Sequence, residues 1–288
     1  MNTLQSKKVS VIVPNYNYAK FIKKRLKTIL GQTYPIYELI ILDDCSTDGS
    51  VEIIKQELEK IQAKFSNLRV IFVRNNKNSG KSMAQWKKGF ELAKGDFVWI
   101  AEADDLSNRR FLEETMKGFD DPKVVLSYAE SSIINEFGIM IAPNFRWSRD
   151  KEKTGHFKTG YKKDGKQEIE EIMAIRCTIP NVSGVVFRND KKWLKYLDEA
   201  LKFSQVGDWY FYTKVLENGK ISYNRRSLNK FRVHRGSVTN KSKSGRQHYA
   251  EVVKMHEYFN KNFDIKTKIK IAMDNELMRV RARHGIIK

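Results

Sequence analysis

Cysteine, proline and long apolar runs are scarce in this chain of 288 residues. Its two cysteines, Cys45 and Cys177, are too few for a disulfide framework or a cysteine-based zinc site, so we expect free thiols in a reducing cytoplasm. No run approaches the roughly 18 apolar residues of a membrane span. The first residues also lack the apolar core of a signal peptide, so we expect any membrane contact to be peripheral.

Acidic residues are outnumbered by basic ones. Fifty-four lysines and arginines against 34 aspartates and glutamates leave a formal net charge of +20. This balance favours an anionic partner, namely a nucleoside diphosphate, a nucleic acid or an anionic membrane surface, although a merely solvated basic surface gives the same composition. A hydrophobic fraction of 41% is ordinary for a folded protein and excludes a disordered one.

Short β-branched segments alternate with amphipathic segments in the first half of the chain. Strands are predicted at 8–14, 38–44, 68–74 and 96–105, and helices at 18–32, 48–65 and 81–94. Further on, helices are predicted at 110–119, 191–202 and 208–218, and strands at 123–130, 182–189 and 221–234, the last as a strand or hairpin. The alternation is typical of right-handed βαβ units and predicts an α/β fold with a largely parallel sheet flanked by helices.

Two segments of the second half are polar and rich in lysine and glycine or serine. We predict a mobile loop at 146–168 and a flexible segment at 235–247. Helical patterning resumes at Tyr249, and residues 261–288 carry eight basic residues against three acids. We therefore expect a domain at 1–240 and a basic helical extension at 241–288. The extension could pack on the domain, meet anionic lipid or join a further module.

Polar residues follow the first, second and fourth predicted strands, at 14–17, 43–44 and 102–105. Ligands of open parallel sheets bind beyond the carboxyl ends of the strands, so these three segments are expected to share one rim. Their common position is the first indication that they form a site.

The segment WIAEADD places Glu102, Asp104 and Asp105 within four positions. Like charges this close raise each other's pKa unless a cation or several donors lie between them. Alternate carboxylates in an extended chain suit a hard divalent cation. A solvated turn or a helix cap is the simpler alternative, and Asp105 or Ser107 could cap the helix predicted at 110–119.

Several other residues are candidates with an ordinary structural alternative. Tyr16 offers an aromatic face to a nucleobase, or packs under its loop. Asp43 and Asp44 could accept hydrogen bonds from a base imide or a ribose hydroxyl, while Asp48 is a plausible cap for the helix at 48–65. Lys81 follows Asn-Ser-Gly where a helix begins, so that a diphosphate would meet a cation and free amides there; otherwise it is an exposed lysine.

Asp208 and His234 lie in the second half of the chain. Asp208 begins an aromatic-rich helix, where it could serve as the N-cap or take a proton from an attacking hydroxyl. His234 follows a predicted strand, and one imidazole could complete a metal shell, although a lone histidine is usually not a ligand.

Five segments, read in order, carry a resemblance: VSVIVPNYNYAKFI, ELIILDDCSTDGS, QWKKGFELAKGDFVWIAEADD, VGDWYF and FRVHRGS. Together they resemble the family 2 glycosyltransferases, inverting enzymes of the GT-A fold, from about Val9 to Ser237. The third segment looks like a bacterial branch that builds surface polysaccharides. The resemblance implies a Rossmann-like, mostly parallel sheet. It also implies transfer of a sugar from a nucleotide-diphosphate sugar, expected to be a UDP-sugar, to a hydroxyl of a growing capsule, lipopolysaccharide or related glycan, free or lipid-linked.

Residues at positions that match the family's motifs are expected to bind the donor nucleotide. The resemblance implies that Tyr16, Asp43 and Asp44 hold the base and ribose, and that Pro14 and Asn15 shape the wall of that site.

The same resemblance implies roles at the reacting end. Asp104 would ligate Mn²⁺ or Mg²⁺ bound to the donor diphosphate, and His234 would contact the metal or the diphosphate. Glu102 stands where many members have aspartate, so its longer side chain would meet the ribose or a metal-bound water. Asp105 would lie beside the acceptor or the metal, unless it only caps the next helix. Asp208 would be the base that deprotonates the acceptor.

Three rival functions remain at this point. A nucleotidyltransferase would normally show a glycine-rich phosphate loop behind the first strand, and PNYNYAKF contains no glycine. A basic nucleic-acid-binding protein would need a binding motif or an aromatic platform, and an acidic rim without metal repels phosphates. An inactive or purely nucleotide-binding relative would keep the fold and lose one catalytic residue. We therefore expect a nucleotide-sugar partner and no nucleic acid; the sequence does not predict the oligomeric state.

Overall fold

The computed structural model describes residues 7–234 and 245–286, which form one sheet with helices against both of its faces. The strands are β1 Val9–Asn15, β2 Glu38–Asp43, β3 Arg69–Arg74, β4 Phe97–Ile100, β5 Leu106–Ser107, β6 Val124–Ile134, β7 Met140–Ala142, β8 Tyr161–Asp164, β9 Val185–Arg188 and β10 Lys220–Arg232. The helices are α1 Ala19–Leu30, α2 Ser50–Lys64, α3 Ser82–Leu92, α4 Phe111–Met116, α5 Arg146–Arg149, α6 Gly165–Glu168, α7 Trp193–Ala200, α8 Gly207–Leu216, α9 Gly245–Asn262 and α10 Thr267–Arg283.

The strand order is β3-β2-β1-β4-β9-β6-β10-β5, with β7 beside β6 and β8 beside β10. The predicted βαβ units account for the first half: β3, β2, β1 and β4 are parallel to one another. β9 enters the sheet antiparallel to both β4 and β6, so the second half is mixed. The predicted strand or hairpin at 221–234 is one long strand, β10, with register shifts against β6.

Alternating side chains of the central strands divide the core into two layers. On β1, Ile12 faces one layer together with Trp86 and Phe90 of α3, whereas Val11 faces the other together with Leu26 of α1. This is the period of two expected for a strand buried on both faces. Helices on both faces leave the strand ends as the open edges of the first half of the sheet.

The segment 146–168 is packed rather than a mobile loop, so that prediction is wrong. It contains α5, β8 and α6, and the ring of Phe157 is buried in the core. Arg149 is buried, pairs with the carboxylate of Glu130, and places its guanidinium 4.1 Å from the Phe157 ring centroid. The polar composition of this segment led to the wrong prediction because some of its charged side chains are buried beside partners from other segments. The local sequence does not reveal such partners.

The predicted carboxyl-terminal helical segment is present as α9 and α10, and α9 packs against Trp209 of α8. Met255 and Phe259 of α9 join the core layer that contains Trp209, and the His256 ring nitrogen Nε2 lies 3.1 Å from the carbonyl oxygen of Ile175. Of the flexible segment predicted at 235–247, residues 235–244 lie outside the described residues and the rest begin α9. None of the helices in the described ranges has the length and apolar character that crossing a membrane requires.

Candidate active site

The carboxyl ends of β1 and β2 meet at one edge of the sheet. Asn15 and Asp43 are in register across the two strands, and Pro14, two residues after Ile12, is buried beside Leu42. The Asp43 carboxylate accepts hydrogen bonds from the Asn15 amide at 2.7 Å and from the backbone and hydroxyl of Ser46 at 2.9 and 2.6 Å. Asp43 therefore fixes the loop that follows β2 against the end of β1.

Asp44 ties the loops that follow β2 and β3. Its carboxylate accepts from the Asn75 amide at 2.7 Å, from the Ser79 backbone at 3.0 Å and from the Ser79 hydroxyl at 2.7 Å. Both carboxylates are buried and already receive several donors. An ionised carboxylate accepts about four hydrogen bonds, so each has little capacity left for a ligand.

Asp48 does not occupy the N-cap position of α2, and its side chain connects the starts of α1 and α2. Gly49 occupies the N-cap position of α2, and the Asp48 carboxylate accepts from the backbone nitrogen of Ala19 at 2.8 Å and from that of Ser50 at 3.0 Å.

Tyr16 and Lys81 stand at the open side of this edge. Tyr16 is 43% exposed, so the alternative that it packs under its loop is wrong, and its ring is accessible to a ligand. Lys81 precedes the first residue of α3 and is exposed, but its ammonium group donates to the carbonyl oxygen of Leu201 beyond α7. Lys81 must leave that carbonyl oxygen if it is to reach a diphosphate.

Asp104 and His234 form the centre of the candidate site. His234 Nε2 lies 3.0 Å from Asp104 Oδ2, and both side chains are largely buried. The imidazole packs between the rings of Tyr18 and Phe21, at centroid distances of 5.7 and 5.0 Å. The pKa of Tyr18 is raised by burial and by the negative charges of the neighbouring acids, Asp104 first. The first turn of α1, with its N-cap Tyr18, thus holds the histidine against the acidic cluster.

Asp105 does not cap the next helix, which corrects that expectation. It is buried and accepts from the Asn181 amide and from the backbone nitrogen of Arg232, both at 2.9 Å. Helix α4 begins only at Phe111, too far along the chain for Asp105 to reach its free amides. Burial raises the pKa of Asp105 to about 6, and the charge of Asp104 adds to that shift.

Glu102 faces α3 rather than the open side of the site. Its carboxylate accepts from the Trp86 indole nitrogen at 2.7 Å. Burial first, and then the charge of Asp104, raises its pKa to about 8. Burial is the main cause of both raised pKa values, the charge of Asp104 adds to each, and the charge of Arg25 opposes them.

Two arginines belong to the site although neither was predicted from the sequence. Arg232 Nε donates to the Asp104 carbonyl oxygen at 2.6 Å. Arg25 is fully buried on α1 with its guanidinium 5.0 Å from the Trp99 ring centroid. Burial lowers the pKa of Arg25 to about 10, whereas the charges of the three acids, led by Asp105, raise it. A charged residue on the apolar face of helix 18–32 was a signal for Arg25, and the FRVH motif was one for Arg232.

Asp208 is the second residue of α8, and Val206 occupies the N-cap position, so the N-cap alternative is wrong. Its carboxylate accepts from the backbone nitrogen of Trp209 at 2.8 Å, and burial raises its pKa to about 6. One turn further, burial and then the charges of Asp208 and Glu102 raise the pKa of Tyr212. The charges of Asp208 on α8 and of Glu102 after β4 thus both act on this phenol.

The Asp104–His234 pair fits a divalent cation as two of its ligands. In an octahedral ion with bonds of about 2.1 Å, adjacent ligands lie about 3.0 Å apart, the separation of these two atoms. A carboxylate oxygen suits Mn²⁺ and Mg²⁺, and a neutral imidazole is a common metal ligand. Within 7–234 and 245–286, no three His, Cys, Asp or Glu side chains gather around one point, so protein ligands alone do not complete a shell. The remaining positions suit phosphate oxygens and water.

The sequence model described as "Glycosyl transferase family 2" matches residues 10–170, which include the rim and the acidic cluster. The chain belongs to this family. Among curated family relatives, a Bacillus subtilis protein named for teichuronic acid biosynthesis, the glycosyltransferase TuaG, is 33% identical over 130 residues, 45% of this chain and 49% of that protein. The poly(ribitol-phosphate) beta-N-acetylglucosaminyltransferase TarS of Staphylococcus aureus is 32% identical over 116 residues, 40% of this chain and 19% of that protein. The chain spans about half or less of the length of these relatives.

Solved structures of similar fold confirm the GT-A fold of this family 2 chain. The structure of S. aureus TarS residues 1–349 in complex with UDP-GlcNAc has a TM-score of 0.67 at 21% identity, covering 96% of this chain and 73% of that one. The mannosyltransferase PcManGT of Pyrobaculum calidifontis, in complex with GDP-Man and Mn²⁺, has a TM-score of 0.60 at 17% identity, covering 98% and 76%. The predicted α/β class, with helices at the carboxyl-terminal end, is confirmed.

Proposed function

We propose that this chain is an inverting, metal-dependent glycosyltransferase. It moves a sugar from a nucleotide-diphosphate sugar, with UDP as the nucleotide, to a hydroxyl of a bacterial surface glycan such as a capsule, lipopolysaccharide or related polysaccharide. The observation that carries the proposal is the Asp104–His234 pair beyond β4, at the edge of the sheet where Asp43 and Asp44 fix the loops after β1, β2 and β3. The names of TuaG and TarS support the substrate class, and the UDP-GlcNAc complex of TarS supports the nucleotide.

The donor nucleotide is proposed to lie against the loop after β1. The exposed ring of Tyr16 stacks on the base, and Pro14 and Asn15 form the wall behind it. Asp43 and Asp44 act through the loops that they hold, and only their remaining acceptor sites face the base and ribose. Lys81 meets the diphosphate after it leaves the Leu201 carbonyl oxygen.

Asp104 and His234 are proposed to hold Mn²⁺ or Mg²⁺ together with the donor diphosphate. A cation bound there supplies neutralisation of the charge that develops on the leaving nucleoside diphosphate. Glu102 and Asp105 lie at the rear of the cluster, where they hydrogen-bond to Trp86 and to Asn181. Asp105, whose pKa of about 6 leaves it ionised at neutral pH, adds negative potential that attracts the cation. Glu102 is proposed to meet the ribose or a metal-bound water once the donor is bound.

Asp208 is proposed as the general base. Its raised pKa of about 6 leaves the carboxylate ionised at neutral pH and makes it a stronger proton acceptor than an exposed aspartate. It takes the proton of an acceptor hydroxyl, whose oxygen attacks C1 of the sugar opposite the leaving group. A single displacement inverts the anomeric carbon without a covalent enzyme intermediate, so Cys45 and Cys177 have no role in it.

The proposed setting follows from the same arguments. The protein works in the cytoplasm, at the inner face of the membrane, and needs no nucleic acid. Residues 1–240 are proposed as the transferase domain and residues 241–288 as an extension, of which α9 packs against the domain through Trp209.

A donor screen tests the proposal. Hydrolysis of UDP-, GDP- and other nucleotide sugars is measured with Mn²⁺, and UDP binding is measured by calorimetry with and without the metal. We expect metal-dependent UDP binding and slow hydrolysis of a UDP-sugar. Asp104→Ala is expected to abolish both, whereas substitution of the exposed Asp198 by Asn changes neither.

The rival functions predict other results. Metal-dependent UDP binding with no hydrolysis or transfer from any donor indicates an inactive relative. Tight binding to nucleic acid without affinity for UDP rejects the transferase proposal altogether.

A further inference from the structure

Large apolar side chains are exposed in one short stretch of the chain. Of eight that are exposed within the described residues, five lie between positions 137 and 147, with exposed fractions of 60% to 76%. They are Phe137, Ile139, Met140, Ile141 and Trp147. Single exposed apolar residues are normal, but a group of this size indicates an interaction site. We call residues 137–147 the apolar surface.

The apolar surface is held outward by regular hydrogen bonds. Its first part is the turn between β6 and β7, where the Asn135 side chain accepts from the backbone nitrogens of Phe137 and Ile139, both at 3.0 Å. Gly138 takes a left-handed conformation, φ 89°, that a residue with a side chain rarely adopts. Because the turn is built in this way, exposure of its apolar side chains is a property of the fold.

Arginines border the apolar surface. The Arg146 side chain donates to the Arg225 carbonyl oxygen at 3.1 Å, and the Ser227 hydroxyl donates to that of Pro143 at 2.6 Å. These bonds lay the second part of the surface along β10, where the side chains of Arg225 and Arg226 are exposed and Arg226 also pairs with Glu114 at 3.4 Å. Apolar and aromatic side chains beside cations are the composition that binds the interface of an anionic bilayer. Residues 137–147 contain no acidic residue, so the same surface of a second copy offers these arginines no countercharge.

The apolar surface is also joined to the candidate active site. The Arg232 guanidinium that donates to the Asp104 carbonyl oxygen also donates, through Nη1, to the carbonyl oxygens of Asn135 and Glu136, each at 2.9 Å. One side chain therefore connects the loop of the acidic cluster to the turn that carries Phe137.

We propose that the apolar surface lies on an anionic lipid bilayer, with Phe137, Ile139 and Trp147 in the headgroup region and Arg225 and Arg226 on the lipid phosphates. The contact places the acidic cluster beside the membrane, where an acceptor with a lipid anchor is presented. That role rests on the proposed function, whereas the contact itself does not.

Trp147 provides a direct measurement. It is the exposed member of the five tryptophans, since Trp86, Trp99, Trp193 and Trp209 are buried. The full chain is mixed with vesicles of phosphatidylcholine alone or with phosphatidylglycerol, whose acyl chains carry bromine as a quencher. We expect a blue shift and quenching of fluorescence only with the anionic vesicles. Trp147→Phe is expected to remove the quenching and to retain the binding measured by sedimentation.

Substitutions separate the apolar surface from other routes to the membrane. The double variant Phe137→Ser, Ile139→Ser is expected to lower vesicle affinity about tenfold or more. Ile271→Ser with Met278→Ser removes two comparably exposed apolar side chains from α10 of the basic extension and is expected to have no effect. Arg225→Gln with Arg226→Gln is expected to weaken binding more than Lys55→Gln with Lys254→Gln, an equal loss of charge elsewhere.

Several results would overturn the proposal. Equal vesicle binding by wild type and the Phe137, Ile139 variant would show attachment by net charge alone, and loss of binding only in the Ile271, Met278 variant would assign the contact to the extension. A dimer in light scattering that dissociates in the Phe137, Ile139 variant, without vesicle binding, would assign the surface to a second copy. UDP binding is measured on every variant, so failure of the membrane contact and failure of the transferase proposal are seen separately.

Discussion

His234 Nε2 and Asp104 Oδ2 lie 3.0 Å apart although 130 positions separate the two residues in the chain. The long strand β10 produces this contact, because it runs parallel to β6 and ends beside the loop that follows β4. The rings of Tyr18 and Phe21 fix the imidazole from the other side. The two proposed metal ligands are thus positioned by the fold before any ligand binds.

This preformed pair leads to the first prediction. Asp104→Asn and His234→Ala are each expected to weaken Mn²⁺-dependent UDP binding at least about tenfold, because each removes a ligand from a site with few protein ligands. Titration calorimetry with UDP, with and without Mn²⁺, measures the effect. Asp198→Asn is the control on an exposed acid. UDP binding that persists at full strength in excess EDTA would contradict the assignment of both residues.

The second prediction concerns Asp208. Asp208→Asn is expected to lower kcat by about 10² to 10⁴, because the acceptor loses its base. UDP affinity should be unchanged. In the wild type, activity should rise with pH through about 6, the pKa of the buried carboxyl group, since only the ionised form accepts a proton. Transfer by Asp208→Asn at the wild-type rate would remove Asp208 from the mechanism.

The third prediction concerns stability and follows from Glu102. Burial raises its pKa from 4.5 to about 8, so the folded protein holds this proton more tightly than the unfolded chain does. Glu102 therefore costs stability increasingly as the pH rises from 4.5 to about 8, because ionisation is then favoured in the unfolded chain. Glu102→Gln keeps an acceptor for Trp86 and avoids that cost.

Thermal unfolding without added metal measures this effect. The midpoint temperature of Glu102→Gln should exceed that of the wild type at pH 9, and the two should converge near pH 5. Addition of Mn²⁺ and UDP should narrow the difference at pH 9, because a nearby cation stabilises the ionised carboxylate. A constant difference across this pH range would show that the raised pKa is not the cause.

The fourth prediction concerns Tyr16. Tyr16→Ala is expected to lower UDP affinity by about 5- to 100-fold, the range expected when one base loses an aromatic stacking partner. Tyr16→Phe should retain the affinity, because the ring rather than the hydroxyl carries the contact. The free energy of unfolding should change little, since the side chain is 43% exposed. Equal UDP affinity of Tyr16→Ala and wild type would place the base elsewhere.

The sequence alone was sufficient to predict the strands of the first half of the sheet and the rim formed by their carboxyl ends. β1 to β4 and the helices between them follow from local periodicity, and parallel strands of this kind bring their carboxyl ends together. Tyr16, Asp43 and Asp104 could therefore be placed near one another without coordinates. The roles of Asp43 and Asp44 were harder to predict, because their hydrogen bonds to Ser46 and Ser79 depend on loop conformation.

Pairings between distant segments could not be read from the sequence. The burial of Asp105 depends on Asn181 and on the backbone of Arg232, both far away in the chain. Likewise, the segment 146–168 resembles a solvated loop until Glu130 and Arg149 are seen to pair inside the core. Composition is a poor guide to the burial of charged residues, because the partners that allow their burial come from distant segments of the chain.

Arg25 has a consequence for how the site behaves between reaction cycles. Its guanidinium is sealed between α1 and Trp99, and a pKa of about 10 keeps it charged at neutral pH. Part of the countercharge for the acidic cluster is therefore covalently attached to the protein and cannot be diluted or chelated away. The fold thus supplies one cation permanently, whereas the proposed divalent cation would arrive with the nucleotide and leave with the product.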